Sequence, residues 1–248
     1  MSTNLAERSA LVIGAGGLGG PATLTLASAG VGRLVIVDCD AVETSNLNRQ
    51  PLFVEDDIGQ RKAAAAKRRI ARLFPALKVE AIDGRFDEAT AHGLSATVDV
   101  IVDCSDNFPT KFLANDMAVA AGKPLVHGGV LRYTVQLLTV LPGETGCLRC
   151  LFEEPPPAGI VPTCAEAGVL GPLAGFAGAL MGAEAVRLLS GERGSYAGRL
   201  MVYEARAARS RTVPVRLREG CAACRTAPAR PAPAPGATLA ETAPGSGP

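Results

Sequence analysis

The chain has 248 residues, 48 % apolar and 20 % charged, which supports a sizeable core and excludes a disordered or collagen-like chain. Lys and Arg total 25 against 24 Asp and Glu, so no basic surplus points to a nucleic-acid or anionic-membrane partner. The opening MSTNLAERSALVIG lacks the pattern of a secretory signal, and seven Cys without one predict metal or thiol chemistry in a reducing cytoplasm rather than a disulfide scaffold.

The apolar run 10–14 ends on Gly14 and reads as a buried parallel strand. A Gly-rich turn follows, then a helix from Pro21 to Ala29, stopped by Gly30 and Gly32. Arg33–Asp38 is the second strand, and 40–57 a polar, aperiodic loop expected to be functional. Gln60–Phe74 reads as an amphipathic helix ended before Pro75. Strands are predicted over 77–82, 98–103 and 124–127, with a helix over 108–121 before the last of these. The β-branched run 133–141 fits a strand antiparallel to the others. Residues 153–168 form a Pro-rich crossover loop. The uncharged stretch 167–183 is short for a membrane span and is read as part of a buried helix over 169–190. Late strands fall at 200–203 and 212–217.

This alternation predicts one α/β domain over 1–224, with a Rossmann-like, mostly parallel sheet, helices on both faces and extra antiparallel strands. From 225 to 248 the chain is Ala, Pro and Gly with little apolar bulk, and is expected to be a disordered tail.

Gly14-Ala15-Gly16-Gly17-Leu18-Gly19 lies between a strand and a helix, where a G-x-G-x-x-G turn can bring backbone N–H groups against a phosphate. The bland alternative is a turn kept for tight packing. Asp38 ends the second strand, where a carboxylate can bind ribose hydroxyls. Asp40, Ser45-Asn46-Leu47-Asn48-Arg49-Gln50 and Lys62 form a polar cluster beyond the needs of a plain dinucleotide site. Arg49 and Lys62 suit a triphosphate, although the same spacing fits solvated surface charges. Asp103-Cys104-Ser105-Asp106-Asn107 ends the fourth strand, so Asp106 faces the same crevice and suits Mg²⁺; its alternative is a cap on the next helix.

Cys147-Leu148-Arg149-Cys150 and Cys221-Ala222-Ala223-Cys224 have the spacing of a closed four-thiolate Zn²⁺ site, with redox pairs as the alternative. Cys39 and Cys104 read as fillers. Cys164, on an irregular stretch before a helix, is a candidate reactive thiol. His127 ends a strand and reads as a hydrogen-bonded wall residue, not a base.

In this order, and with Gly59-Gln60-Arg61-Lys62 and Thr163-Cys164 through Gly168-Val169, these motifs span residues 10–224. They resemble the ThiF/MoeB/HesA group, prokaryotic relatives of the ubiquitin-activating enzymes. The resemblance implies ATP-dependent adenylation of the C-terminal Gly-Gly of a ubiquitin-like sulfur-carrier protein, in thiamine, molybdopterin or related biosynthesis. It implies ATP binding by Gly14, Gly16, Gly17, Gly19, Asp38, Asp40, Ser45, Asn46, Arg49, Lys62, Asp106 and Asn107, with Mg²⁺ on Asp106 and structural zinc on Cys147, Cys150, Cys221 and Cys224. Arg49, Lys62 and Asp106 would carry the chemistry, with Cys164 as a possible covalent thiol. A homodimer and a separate sulfur donor are also implied.

Family members usually place a helix before the first strand, bearing an Arg that reaches the partner's ATP. Only nine residues precede the strand here. That departure motivates a second reading, a catalytically weak, zinc-stabilised module that binds a ubiquitin-like partner. Relatives that adenylate a tRNA base or a peptide share the motifs.

Overall fold

The computed structural model describes residues 4–157, 159–160 and 167–228. The chain runs through β1 (Ser9–Ile13), α1 (Gly19–Ser28), β2 (Arg33–Asp38), α2 (Lys62–Leu73), β3 (Lys78–Asp83), α3 (Glu88–Ala96) and β4 (Val100–Asp103). It continues through α4 (Phe108–Ala120), β5 (Leu125–Leu131), β6 (Thr134–Val140), α5 (Leu148–Leu151), α6 (Gly171–Leu189), β7 (Arg199–Glu204) and β8 (Arg209–Pro214). The eight strands form one sheet in the order β3-β2-β1-β4-β5-β6-β7-β8. The first five are parallel. β6, β7 and β8 continue it antiparallel, as the β-branched run had implied for β6.

Strands buried on both faces read as unbroken apolar runs, and β1, β2 and β4 do so because helices cover both sides. Ala10, Val12, Leu34, Ile36 and Val102 face the layer of α1, α2 and α6. Leu11, Ile13, Val35 and Ile101 face α3, α4 and the cysteine knuckle. In β4 this alternation ends on Asp103, a carboxylate at the carboxyl end of the sheet where the layer opens.

α6 is the predicted buried helix. It is the one helix among the described residues long and apolar enough to cross a membrane, yet it packs on α1 and the sheet. Glycine makes the approach possible. A Cβ on Gly178 would stand 2.1 Å from the Leu18 carbonyl oxygen, and one on Gly182 would stand 2.7 Å from Thr25 Cβ.

Three elements depart from expectation. α3 carries Gly93 and Ser95, so its apolar periodicity is weak; its legible mark is the Asp87–Thr90 capping box. β5 runs on to Leu131 because Gly128 and Gly129 stay paired with β6. The last strand is Arg209–Pro214 rather than 212–217, since β8 is an exposed edge whose polar residues hide it from a hydrophobic pattern. Described chain continues to Pro228, with a 3₁₀ turn at Cys224–Thr226, and 229–248 lie outside the described residues.

Candidate active site

A cleft of 1480 Å³ opens at the carboxyl ends of the parallel strands and extends over β5 and β6. Gly14, Gly16, Gly17, Asp38, Asp40, Arg49, Lys62, Asp106 and Asn107 all line it. Gly14 has φ +90°, and a Cβ there would stand 3.1 Å from the Cys104 carbonyl oxygen, so the turn admits only glycine at this point. Gly19 is a packing residue instead. A Cβ there would overlap the Gly14 carbonyl oxygen at 1.7 Å, so α1 begins pressed on the turn. The Gly-rich segment thus needs glycine for its turn at Gly14 and for close packing at Gly19.

Asp38 ties this turn to the loop after β2. It accepts from the Ala15 N–H at 2.7 Å and from the Asp40 N–H at 2.8 Å. Burial raises its pKa, opposed by those two N–H groups. Lys62 opens α2 with its side chain only 8 % exposed and its Nζ 2.9 Å from Asp40 Oδ2. This is not a solvated surface charge. The same ammonium holds the Asp40 carboxyl below its ordinary pKa. The Arg49 guanidinium is held by the Ser45 carbonyl and Asn48 Oδ1.

Ser45 and Asn46 do not line the cleft. Asn46 is buried, accepts from the Glu43 N–H and donates to Ser45 Oγ, so the pair shapes the loop that carries Arg49. Gln50 lines the cleft with its Oε1 buried and without a hydrogen-bond partner among the described residues.

Asp103 is fully buried at the end of β4. It accepts from Ser105 N and Oγ on one side, and from Lys111 Nζ at 3.2 Å and His127 Nδ1 at 2.8 Å on the other. Burial alone would raise this carboxyl; Lys111, His127 and Ser105 outweigh it and hold Asp103 well below the usual range. The Ser105 bonds bend the chain into the turn that presents Asp106. Asn107, not Asp106, caps α4, its side chain accepting from the Thr110 N–H. Asp106 is thereby left exposed in the cleft, with no hydrogen bond or ion pair among the described residues.

Asp103→Asn is expected to destabilise the fold by about 3 kcal/mol at pH 7, because it leaves Lys111 without its carboxylate. The native carboxyl is depressed, so its stabilisation is present above the unfolded value of about 3.9 and is lost as pH falls below it. Urea unfolding at pH 7 and pH 3.5 should show the difference from wild type shrinking at the lower pH.

Cys39 and Cys104 also line the cleft. Burial raises both thiols, which keeps them protonated, as expected of fillers. Cys164 lies outside the described residues. His127 lines the cleft with its Nδ1 engaged by Asp103 and its Nε2 buried without a hydrogen-bond partner among the described residues. Lys111, Arg85 and Arg132 are cleft cations that sequence reasoning missed. Lys111 depends on where α4 begins against the ends of β4 and β5, and Arg132 on hairpin geometry, which no local motif announces.

The four knuckle cysteines converge behind α4. Their Sγ atoms all lie within 4.8 Å of one another. Individual separations are 3.9 Å for Cys147–Cys150, 3.8 Å for Cys147–Cys221, 3.5 Å for Cys150–Cys224 and 3.4 Å for Cys147–Cys224. A zinc ion with Zn–S bonds of about 2.3 Å sets tetrahedral edges of about 3.8 Å, so the set fits that metal. The knuckle is bound to α4. Leu148 N–H donates to the buried Asn115 side chain, and Arg149 makes a forked pair with Asp116. The helix that Asn107 caps, and that Asp106 immediately precedes, is thus braced by the thiol site.

Comparison with known proteins agrees with this geometry. The ThiF family model matches residues 2–224. A sulfur carrier protein adenylyltransferase of Thermus thermophilus is 45 % identical over 225 residues, covering 89 % of this chain and 83 % of that protein. A SAMP-activating enzyme E1 of Haloferax volcanii is 45 % identical over 214 residues, covering 86 % and 79 %. The crystal structure of E. coli MccB with AMPCPP and MccA superposes with a TM-score of 0.78 at 23 % identity, over 89 % of this chain and 68 % of that one, which shows a shared fold. The family-model match over residues 2–224 and 45 % identity to the Thermus and Haloferax relatives place this protein in the ThiF family.

Proposed function

We propose that the protein uses ATP to adenylate the C-terminal carboxylate of a ubiquitin-like sulfur carrier ending in Gly-Gly, with release of pyrophosphate. The observation that carries this reading is one cleft holding together the Gly14–Gly17 turn, Arg49, Lys62 and Asp106, which has no partner among the described residues. The Thermus and Haloferax relatives support the choice of substrate.

The nucleophile needs no general base. An α-carboxylate with a pKa of about 3.5 is already ionised at pH 7. One of its oxygens attacks the α-phosphorus, and the bond from that phosphorus to the α–β bridging oxygen breaks. The electron pair leaves with pyrophosphate, and a mixed acyl-phosphate anhydride joins carrier to AMP. The protein has to align the two reactants and offset the charge that builds on the phosphates. The free N–H groups of the Gly-rich turn at the start of α1 receive phosphate oxygens. Lys62 exchanges Asp40 for a phosphate oxygen, and Arg49 adds a second cation from the neighbouring loop. Asp106 would hold Mg²⁺, which when bound neutralises charge on the polyphosphate and on departing pyrophosphate. Cys147, Cys150, Cys221 and Cys224 would hold zinc as a structural brace for α4.

The same reading includes a homodimer, a separate protein as sulfur donor and a cytoplasmic setting. Its test is carrier-dependent exchange of label between pyrophosphate and ATP, with a panel of Gly-Gly-ended carriers and Arg49→Ala as control. Exchange with a carrier, lost in the control, is expected. No exchange with any carrier would favour a binding module or a peptide or tRNA substrate.

A further inference from the structure

Arg132 is the first residue of the two-residue loop between β5 and β6, and its φ is +54°. Glycine normally takes such a position, because a Cβ is strained there. Ala208 is the one other non-glycine with positive φ among the described residues; it sits in the β7–β8 turn and does not line the cleft. Arg132 does line it. Its backbone is fixed from both sides. The N–H donates to the Gly168 carbonyl at 3.1 Å, and the carbonyl accepts from the Leu170 N–H at 3.3 Å. The hairpin tip is thereby locked to the segment that opens α6. The Arg132 guanidinium itself has no hydrogen bond or ion pair among the described residues. A strained backbone kept where glycine would serve, under a side chain exposed in a cleft with no partner among the described residues, points to a ligand for that side chain.

The other cleft cations are differently placed. Lys62 rests on Asp40, Lys111 on Asp103 and the Gly128 carbonyl, and Arg49 on its own loop, while Arg85 follows β3 on the nucleotide side of the cleft. These come from the phosphate side of the cleft and from α4. Arg132 comes from the opposite wall, built by β5 and β6. Beside it the floor is bare, since a Cβ on Gly129 would meet nothing within 4 Å. Gln136 stands opposite Gly129 across the strand pair, exposed and lining the cleft. An extended tail ending in small residues fits over such a floor.

Adenylation brings two anions together, a carboxylate and a polyphosphate. The carboxylate therefore needs a cation separate from those on the phosphates, and a guanidinium matches its two oxygens as a planar fork. We propose that Arg132 binds the terminal carboxylate of the carrier tail and makes the site selective for a free C-terminus. This rests on the adenylation reading above.

The test uses a carrier that supports exchange, prepared with its natural C-terminal carboxylate and as the C-terminal carboxamide. Binding of both forms is measured in the presence of a non-hydrolysable ATP analogue. Wild-type protein is expected to prefer the carboxylate by about tenfold or more. Arg132→Gly relieves the positive φ, so it should keep the wild-type circular dichroism and the KM for ATP while losing that preference. Arg132→Lys should retain part of it. An Arg132→Gly protein that still prefers the carboxylate, or that weakens both forms equally, would overturn the proposal, the latter by showing a purely structural hairpin role. Exchange-competent wild-type protein that binds the two forms equally would overturn it too. Absence of exchange with every carrier would remove the functional reading, and this proposal with it.

Discussion

Lys62→Ala is expected to lower carrier-dependent pyrophosphate exchange about 10²–10³-fold while leaving the fold nearly as stable as wild type. The first half follows from the role of a preorganised cation at the phosphates, whose loss falls on the rate. The second follows from the asymmetry of the ion pair. Lys62 is 8 % exposed, but Asp40 is 63 % exposed. Removing the lysine leaves a carboxylate that water can solvate, so the stability change should stay within about 1 kcal/mol. Asp40 then loses the bond that depresses it, and its carboxyl should titrate higher than in wild type. Exchange kinetics and urea unfolding of the same preparation check both halves. A variant that unfolds readily, or one with near-wild-type exchange, would show that Lys62 serves the fold and not the phosphates.

Cys221→Ser is expected to release the metal and lower the melting temperature by about 10 °C or more. Cys221 is buried to 1 % exposure among the second core cluster, and two of its three partner thiols come from a segment more than seventy residues earlier. Binding of structural zinc contributes on the order of 10 kcal/mol to folding in small zinc modules. Loss of even a third of that shifts the melting point of a domain of this size by about 10 °C. Activity should fall as well, because Asn115 and Asp116 on α4 are anchored by Leu148 and Arg149 of the knuckle. Metal analysis and thermal unfolding, with and without a chelator, test this. A serine variant with wild-type melting, or a wild-type protein that a strong chelator leaves unchanged, would contradict a structural zinc.

What the sequence made legible was local. The Gly-rich turn, Asp38, the Ser45–Gln50 loop and Lys62 fall within some fifty residues, and strand-to-helix context alone puts them at one end of the sheet. The C-x-x-C spacing carries the thiol site even though its halves are far apart, because each half is nearly complete by itself. Illegible features depend on register or on exposure. Asp103 meets His127 because β4 and β5 pair with these two residues side by side. A one-residue slip in β5 would have turned the imidazole to the other face. Lys111 joins them only because Asn107 caps α4 and starts its first turn there. The α3 helix lacks a clean apolar stripe, and β8 is exposed at every residue, so neither has the periodicity that sequence reading relies on. Arg132 is hidden for a different reason: its signal is an arginine where a hairpin prefers glycine, and that is visible only once the hairpin is known.

The most direct measurement is transfer of the α-phosphorus of ATP to the carrier. Protein, Mg²⁺, a Gly-Gly-ended carrier and ATP labelled at the α-phosphorus are combined, and the carrier is analysed by mass spectrometry and for label. The account predicts AMP on the terminal carboxylate of a carrier, absent when the last glycine is deleted and absent with Arg49→Ala. Unlabelled carriers throughout, with label appearing instead on a peptide or tRNA, would contradict it.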